Sequence, residues 1–461
     1  MLAIELLAFA VIELLVRASV GLGLVSLPSM NAGPFDRLYQ GDNPPAAKRL
    51  YEADRDLIFR MRANADLVYP RTALQPNKPQ TWAVHTNEHG FRSASFAETK
   101  PAGVFRIVCL GDSSTFGMNV NDADAYPQVL ARLLDERAQG RFEVLNLGVP
   151  GYSSRQGLEL LRRSVLRYQP DLVTFAFGTN DRFWRRTVSD DQVIRFNQTF
   201  SGGVVVYARN VAEHFYTYRL LRRLATAAAA RWFGMPALQA GEPRVSLTEI
   251  AGNIVAAGTL LRANGAAIVV VNNDFYWTDA ISGMREGARQ AGAPVLDMRQ
   301  SFASRERQRT RDLEAQYHLS PAEPPRGMML FRVRTLAPEQ QVAVEVRPAL
   351  ELQGTRFPMR DDGQSGDQVA GDGIWSSLVP AGDTTNVEYI YWKRDGTDFV
   401  REYGETITGT SARLRPVAAA GNIDTLGEFY LHTDSAHPDE EGHALIAKAL
   451  LERVMRSAPT P

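Results

Sequence analysis

The sequence predicts an α/β protein built on a buried parallel sheet. The first indication is a series of apolar runs rich in β-branched residues, at residues 106–110, 142–147, 172–177, 266–271 and 294–297. Uninterrupted apolar runs of this length are typical of strands buried on both faces. The second indication is a series of helical patterns, at residues 126–136, 155–168, 247–263 and 439–455. Strands that alternate with helices predict a doubly wound sheet.

Residues typical of strand ends and helix starts support this alternation of strands and helices. Gly111, Gly148 and Gly178 follow the first three strand patterns directly. Ser246 precedes the helical pattern at 247–263 and Glu249 follows it three positions later, as in a capping box. The third strand and the 247–263 helix are therefore predicted as separate elements, joined by a long segment.

Four short motifs follow these elements in an informative order. They are Gly111-Asp112-Ser113-Ser114-Thr115, Asn146-Leu147-Gly148, Gly178-Thr179-Asn180-Asp181 and Asp434-Ser435-Ala436-His437-Pro438. The first three lie where predicted strands end. Ligands of doubly wound sheets bind beyond the carboxyl ends of the strands. The sequence therefore predicts that these motifs meet at one edge of the sheet.

Together the motifs supply the groups of a serine esterase. Ser113 offers a hydroxyl nucleophile, and His437 offers a base that the Asp434 carboxylate can orient. The Gly148 N–H and the Asn180 side-chain amide can both donate to an oxyanion. Taken alone, each residue would more often be structural: a turn, a strand-ending glycine or a structural histidine. We favour catalysis because the four motifs occur together and in order.

On these residues the chain resembles the SGNH/GDSL hydrolases, whose four sequence blocks carry Ser, Gly, Asn and His. The matching positions are Ser113, Gly148, Asn180 and His437, with Asp434 as the acid. The resemblance implies a flavodoxin-like three-layer α/β/α fold and the hydrolysis or transfer of acyl groups. It also implies an oxyanion hole made of the Ser113 and Gly148 N–H groups and the Asn180 amide. Asp112 and Asp181 are expected to support their loops.

The resemblance is interrupted before the last motif. It covers residues 104–320 and 420–457. Strand patterns with partial alternation lie between, at residues 328–334, 342–346, 387–392 and, more weakly, 399–403. We predict that residues 324–418 form an inserted β-sandwich of immunoglobulin or fibronectin type. The segments 87–92 and 100–106 are similar to those of membrane-tethered bacterial members of the family.

The predicted domains follow from these observations. They are an apolar helix at 1–27, a linker and N-terminal extension at 28–103, the first hydrolase part at 104–323, the sandwich at 324–418 and the last hydrolase part at 419–461. Helices predicted within 182–245 form either a lid over the site or surface helices, and the sequence does not choose between the two.

An aspartate-rich loop in the predicted sandwich is a weak candidate for calcium. Its carboxylates belong to Asp361, Asp362, Asp367 and Asp372. Oxygen ligands suit calcium, but the spacing is not that of an EF-hand and no glutamate closes the loop. We favour an Asp/Gly turn whose side chains bond the backbone. The seven histidines show no zinc-like grouping, and no cofactor is expected.

Composition and the N-terminus bear on partners and location. The net charge of −1 disfavours a nucleic-acid partner, and the single Cys109 excludes an internal disulfide. Residues 1–25 are apolar but contain Glu5, Glu13 and Arg17, so they predict a membrane anchor, an uncleaved signal-like segment or a helix packed on the body. We favour the anchor, because residues 28–46 have the composition of a linker. A cell-envelope location facing the periplasm or exterior would follow.

The predicted function is hydrolysis of acyl esters, of short acetyl-like chains and with a carbohydrate as a candidate alcohol. A first alternative is an O-acetyltransferase of an envelope polysaccharide. A second, from another class, is a glycan-binding or assembly protein with a vestigial hydrolase fold. The sequence indicates no oligomeric state.

Overall fold

The chain is seen here in a computed structural model. It describes residues 2–25, 27, 49–70, 81–183, 185–186, 188–233, 242–273, 278–321, 324–335, 341–348, 354–364, 366–380, 386–395, 398–401, 413–416, 422–425 and 437–457. The predicted linker at 28–46 and the predicted acid Asp434 lie outside these residues.

The elements of the described ranges are numbered in chain order. The strands are β1 Tyr51–Asp54, β2 Ile58–Met61, β3 Asp66–Pro70, β4 Thr81–His85, β5 Phe105–Gly111, β6 Phe142–Gly148, β7 Leu172–Ala176, β8 Arg185–Arg186, β9 Glu242–Pro243, β10 Ala267–Asn272, β11 Val295–Asp297, β12 Met328–Arg334, β13 Val342–Pro348, β14 Thr355–Pro358, β15 Ile374–Pro380, β16 Asn386–Asp395, β17 Asp398–Arg401, β18 Arg413–Pro416 and β19 Ile423–Thr425. The helices are α1 Leu2–Gly21, α2 Ser113–Phe116, α3 Tyr126–Asp135, α4 Ser154–Arg163, α5 Thr179–Phe183, α6 Asp190–Gln198, α7 Phe200–Ala212, α8 Tyr216–Phe233, α9 Leu247–Ala263, α10 Thr278–Ala291, α11 Arg299–Gln316 and α12 Glu440–Ser457.

The central sheet has five parallel strands in the order β11-β10-β7-β5-β6. All five correspond to the apolar runs that predicted them. β5 lies between β6 and β7, so the chain segments after these three strands emerge side by side. The predicted parallel α/β sheet is therefore confirmed.

Helices cover both faces of this sheet. Along β5, Val108 and Leu110 belong to one apolar core, whereas Ile107 and Cys109 belong to the other. The first core includes side chains of α4, α9 and α10, and the second includes side chains of α3, α11 and α12. Alternate strand residues point to opposite faces, so the apolar runs serve two cores at once. The result is the predicted three-layer α/β/α arrangement.

The N-terminal extension packs on the body formed by the central sheet and its helices. Strands β1 and β2 pair antiparallel, as do β3 and β4. Their buried side chains, such as Tyr69 and Trp82, join the core on one face of the central sheet. The Trp82 ring meets Phe116, just after the nucleophile motif, edge to face at 6.4 Å. The extension therefore supports the site region from one side.

Helix α1 contacts α8 through its charged residues. The Glu13 carboxylate accepts the Tyr216 and Thr217 N–H groups, each at 2.8 Å, so it caps the start of α8. Arg17 pairs with Glu13 at 2.8 Å and donates to the His214 carbonyl oxygen at 2.7 Å. Judged by length and hydropathy together, none of the helices in the described ranges qualifies as a membrane span. The anchor remains a prediction, but α1 does lie against the body.

The region of the predicted insert forms two sheets around one core. One sheet has the order β15-β12-β19, and the other contains β14-β13-β16-β17, with β18 also paired to β16. Side chains of β12, β13, β15 and β16 share one apolar core. Tyr389 and Tyr391 of β16 both donate to Asp424 of β19, at 3.0 and 2.7 Å. The paired sheets thus extend to residue 425, beyond the predicted boundary at 418.

Helices α5 to α8 lie in the segment between β7 and α9. Its two ends are tied by the short antiparallel pair β8–β9. Helix α7 contacts β1, and α8 contacts α1. The segment therefore joins the N-terminal part of the chain to the body formed by the central sheet and its helices.

Candidate active site

The first three motifs meet at the carboxyl edge of the central sheet. In the parallel register, Gly111 at the end of β5 faces Gly148 of β6 on one side and Ala176 of β7 on the other. The nucleophile motif therefore emerges between the segments that carry the two predicted oxyanion donors. This arrangement follows from the topology, because β5 is the middle strand of the three.

Two glycines allow these segments to approach closely. A Cβ on Gly148 would lie 2.2 Å from the Phe116 nitrogen, and one on Gly111 would lie 2.0 Å from Thr115 Oγ1. Neither distance is possible between real atoms, so any side chain at Gly148 would push the backbone of α2 away. Gly148 is thus required by packing against the helix that starts at Ser113.

Ser113 is the first residue of α2, a single helical turn. Asp112 caps this turn: its carboxylate accepts the Ser114 N–H at 3.0 Å. The N–H of a first helical residue has no intrahelical partner. The Ser113 N–H is therefore suited to donate to a bound group.

Arg92 holds the far end of the same turn. Its side chain is fully buried, and its guanidinium donates to the carbonyl oxygens of Phe116 at 3.0 Å and Val120 at 2.8 Å, and also to that of Gly117. It also forms an ion pair with Asp122. Burial lowers the pKa of Arg92, and Asp122 opposes that shift. Sequence reasoning found Arg92 only as part of a family segment, because carbonyl acceptors leave no signal in the sequence.

His437 reaches the nucleophile from the other end of the chain. Its Nε2 lies 2.9 Å from Ser113 Oγ, a hydrogen-bonding distance. His437 stands just before α12, which packs on α3 through the second core. The fully buried His443 of α12 accepts the Tyr126 N–H at 3.2 Å through Nδ1 and stacks on that ring. His443 therefore anchors the helix that presents His437.

Gly148 and Asn180 form hydrogen bonds within the protein. The Gly148 N–H donates to Asn146 Oδ1 at 3.0 Å. Asn180 Nδ2 donates to the Tyr152 carbonyl oxygen at 3.1 Å and to Asp112 Oδ2 at 3.4 Å. The Asn180 amide is thus next to the nucleophile motif. To serve an oxyanion, the Gly148 N–H would have to share or exchange its bond with Asn146.

Asp181 joins the Asn180 segment to the start of α4. The fully buried carboxylate accepts the Ser154 N–H at 3.1 and 3.0 Å and also the Ser154 hydroxyl. Burial raises the pKa of Asp181 to about 7, although the Ser154 bonds act in the opposite direction. This contact gives Asp181 a structural position behind the oxyanion donors.

The aspartate loop lies apart from these motifs. Carboxylate oxygens of Asp361, Asp367 and Asp372 lie within 4.8 Å of one another, a spacing that a cation could bridge. Asp361, however, accepts the backbone N–H groups of Gly371 and Gly373 at 2.7 and 3.0 Å, which fits the turn we favoured. Asp362 is outside this group and pairs with Arg360 at 3.2 Å.

Comparison with known proteins finds a match to one family. The sequence model of the GDSL-like lipase/acylhydrolase family matches residues 109–322. The lipase/acylhydrolase from Enterococcus faecalis is similar at 15% identity, over 44% of this chain and 80% of that one, with a TM-score of 0.27. Esterase EstA from Pseudoalteromonas sp. is similar at 13% identity, over 43% and 80%, with a TM-score of 0.27. No curated protein matches the chain.

The family match covers three of the four sequence motifs. Ser113, Gly148 and Asn180 all lie within the matched residues. His437 lies beyond them and meets Ser113 because α12 returns to the central sheet. Residues 109–322 therefore match the GDSL-like lipase/acylhydrolase family, and this match supports an ester-hydrolysing enzyme.

Proposed function

We propose that this enzyme hydrolyses short-chain acyl esters with Ser113 as nucleophile and His437 as base. The observation that carries the proposal is the 2.9 Å distance between Ser113 Oγ and His437 Nε2. A hydroxyl becomes a competent nucleophile when an adjacent base can take its proton. Asp434 is assigned as the residue that orients His437, from its place three positions earlier in the sequence.

The reaction proceeds in two halves. Ser113 Oγ attacks the ester carbonyl carbon while His437 Nε2 takes the hydroxyl proton, and the carbonyl oxygen gains the negative charge. The protonated His437 then gives its proton to the departing alcohol oxygen, which leaves an acyl-serine. In the second half a water loses a proton to His437 and attacks the acyl carbon, so that the acid departs and Ser113 recovers its proton.

Three donors are assigned to the negative oxygen of the intermediate. They are the N–H groups of Ser113 and Gly148 and the side-chain amide of Asn180. Ser113 is the first residue of α2, so its N–H has no partner within the helix. Asn180 already lies within 3.4 Å of Asp112 in the nucleophile motif. Loss of one such donor costs about 10²- to 10³-fold in kcat in known serine hydrolases.

A small, acetyl-like acyl group is proposed for the substrate, as the sequence led us to expect. An acetyl group needs little apolar surface, whereas a long acyl chain needs an apolar channel. A carbohydrate is proposed as the alcohol because the paired β-sheets precede His437 in sequence, where they would border the site entrance.

The test measures p-nitrophenol release from acetyl, butyryl and octanoyl esters by the full chain, beside the Ser113→Ala variant. We expect Ser113-dependent cleavage that is fastest for the acetyl ester. Preference for the octanoyl ester would overturn the short-chain assignment. If both folded proteins cleave none of the esters, the result would favour acyl transfer between specific partners over hydrolysis. An assay with an acetylated polysaccharide as donor would then test for that transfer.

We also propose that the protein attaches to an anionic membrane surface through α1. Ile4, Leu7, Val11, Leu14 and Leu15 are all exposed, and Ile4, Val11 and Leu15 lie on the side of α1 away from Glu13. The neighbouring residues 200–233 carry five arginines and one glutamate in a chain of net charge −1. Among the described side chains, Arg219 is buried, Arg223 is exposed, and Arg209 and Arg222 are half-buried. Apolar surface beside positive charge suits a helix that lies in the headgroup region.

A further inference from the structure

Buried polar side chains hold the segment between β6 and α4, residues 149–153, which we name the oxyanion loop. The Tyr152 carbonyl oxygen in this loop accepts the Asn180 amide at 3.1 Å. Ser153 is fully buried and donates to Asp190 at 2.7 Å. Ser154, which follows the loop, donates to Asp181. A fully hydrogen-bonded buried network holds a backbone in one arrangement.

Arg244 is the centre of this network. Its side chain is 2% exposed, and it forms an ion pair with the fully buried Asp190 at 2.7 Å. Another nitrogen of the same guanidinium donates to the Gly151 carbonyl oxygen at 2.8 Å. A third bond, of 2.6 Å, goes to Gln156 Oε1, whose side chain caps the start of α4 with Ser153. One planar group thus fixes the loop backbone, its flanking helix and Asp190 at once.

The ion pair between Asp190 and Arg244 also joins the two ends of a long chain segment. Asp190 begins α6, and Arg244 follows β9, so the two residues close the segment that contains α6, α7 and α8. Their backbones are also joined, since the Asp190 N–H donates to the Arg244 carbonyl oxygen at 3.2 Å. The base of the helical segment and the oxyanion loop therefore share one ion pair.

We propose that Arg244 is a positioning residue for ester hydrolysis, which holds the oxyanion loop so that the Tyr152 carbonyl orients the Asn180 amide. The path runs from the guanidinium to the Gly151 carbonyl, along one peptide unit to Tyr152, and through a 3.1 Å hydrogen bond to Asn180. The inference rests on the proposed function, since it requires Asn180 to donate to the oxyanion.

Arg244→Lys is the most informative change. Lysine keeps a positive charge beside the buried Asp190, but its single ammonium cannot reproduce the planar fork to Gly151, Gln156 and Asp190. We expect the variant to fold, with a kcat about 10- to 100-fold lower, because small displacements of a catalytic group carry losses of this size. KM should change less than about threefold. Arg289→Lys, at an exposed pair with Glu286, is the matched control and should leave both constants unchanged.

A double variant distinguishes positioning from a general effect. If Arg244 acts through Asn180, the Asn180→Ala/Arg244→Lys protein should match Asn180→Ala in kcat within about threefold, because the same contribution is lost only once. Losses that multiply would overturn the proposal, as would wild-type kcat in Arg244→Lys. Wild-type kcat in Asn180→Ala would instead contradict the assigned oxyanion donor.

A second pair of changes guards against misfolding. Should Arg244→Lys fail to fold, Arg244→Gln combined with Asp190→Asn removes both buried charges together and leaves neither unpaired. This protein should show the same loss in kcat with little change in KM. Retention of wild-type kcat by this folded variant would also overturn the proposal.

Discussion

His437 Nε2 lies 2.9 Å from Ser113 Oγ, although 324 positions separate the two residues in the chain. The intervening chain completes the parallel sheet and forms the two sheets of the β region before it returns to the body. His437 and Ser113 meet because α12, which follows His437, packs on the same face of the central sheet as α3. The position of the base is thus set by helix packing rather than by the connecting chain.

Ser113→Ala should abolish ester cleavage and leave the melting temperature near that of the wild type. The change removes the attacking oxygen, but the backbone bonds and the Asp112 cap of α2 remain. The measurement is p-nitrophenyl acetate turnover beside a thermal melt. Ser304→Ala, on the exposed side of α11, is the control and should retain full turnover. Turnover above a few per cent of wild type in Ser113→Ala would contradict the assignment of the nucleophile.

Gly148→Ala should lower both activity and stability. The new Cβ would lie 2.2 Å from the Phe116 nitrogen, so α2 and Ser113 would have to move. Overpacking of this kind costs about 1–3 kcal/mol. We expect kcat to fall more than about tenfold, given the sensitivity of catalysis to small displacements.

Gly252→Ala is the matched control for that change. A Cβ at this position in α9 meets nothing within 4 Å. Alanine is the better helix former by up to about 1 kcal/mol, so this variant should be slightly more stable and fully active. Equal stability of the two alanine variants would show that Gly148 does not contact α2 as described.

The strands and motifs could be predicted from the sequence because their signals are local. An apolar run that ends in glycine marks each of β5 and β6, and Ser113 and Gly148 lie at those ends. The roles of Arg92 and Arg244 could not be predicted, because both bind backbone carbonyl oxygens that every residue possesses. β19 was missed for a related reason: a three-residue strand is too short to show alternation.

Asp181 should make stability depend on pH between pH 4 and pH 7. Burial raises its pKa from the ordinary 3.8 to about 7, so in this window the folded protein holds a proton that the unfolded chain has lost. The contribution of Asp181 to stability is therefore highest at the acid end and declines as pH rises to about 7. From pH 5 to pH 8 the decline is on the order of 2–3 kcal/mol.

Asp181→Asn isolates this contribution, because asparagine does not titrate. Urea unfolding at pH 5 and pH 8 should show a smaller decline in the free energy of unfolding for the variant than for the wild type. Other groups that titrate in the window are common to both proteins and cancel in the difference. Identical declines would contradict the raised pKa of Asp181.

Cys109 should be inert in the folded protein. It is fully buried in β5, and burial raises the pKa of its thiol to about 12. Reaction with a disulfide reagent requires both the thiolate and access, and both are absent at pH 8. Dithionitrobenzoate should therefore titrate no thiol in the native protein and one in denaturant, since the chain has a single cysteine. Rapid reaction of the native protein would contradict the burial of β5.

Attachment to anionic membranes should depend on the exposed face of α1. Leu7 and Leu14 are 66% and 67% exposed, whereas Glu13 makes the contact with α8, so glutamate at both positions should leave that contact intact. We expect Leu7→Glu/Leu14→Glu to lose co-sedimentation with phosphatidylglycerol vesicles, because charge replaces the inserting apolar surface and repels the lipid.

Val369→Glu changes an exposed apolar residue of the β region and is the control, with wild-type binding expected. Binding of the wild type that is equal for phosphatidylcholine vesicles would remove the electrostatic part of the proposal. No binding to either lipid would refute the proposal that α1 attaches the protein to a membrane surface.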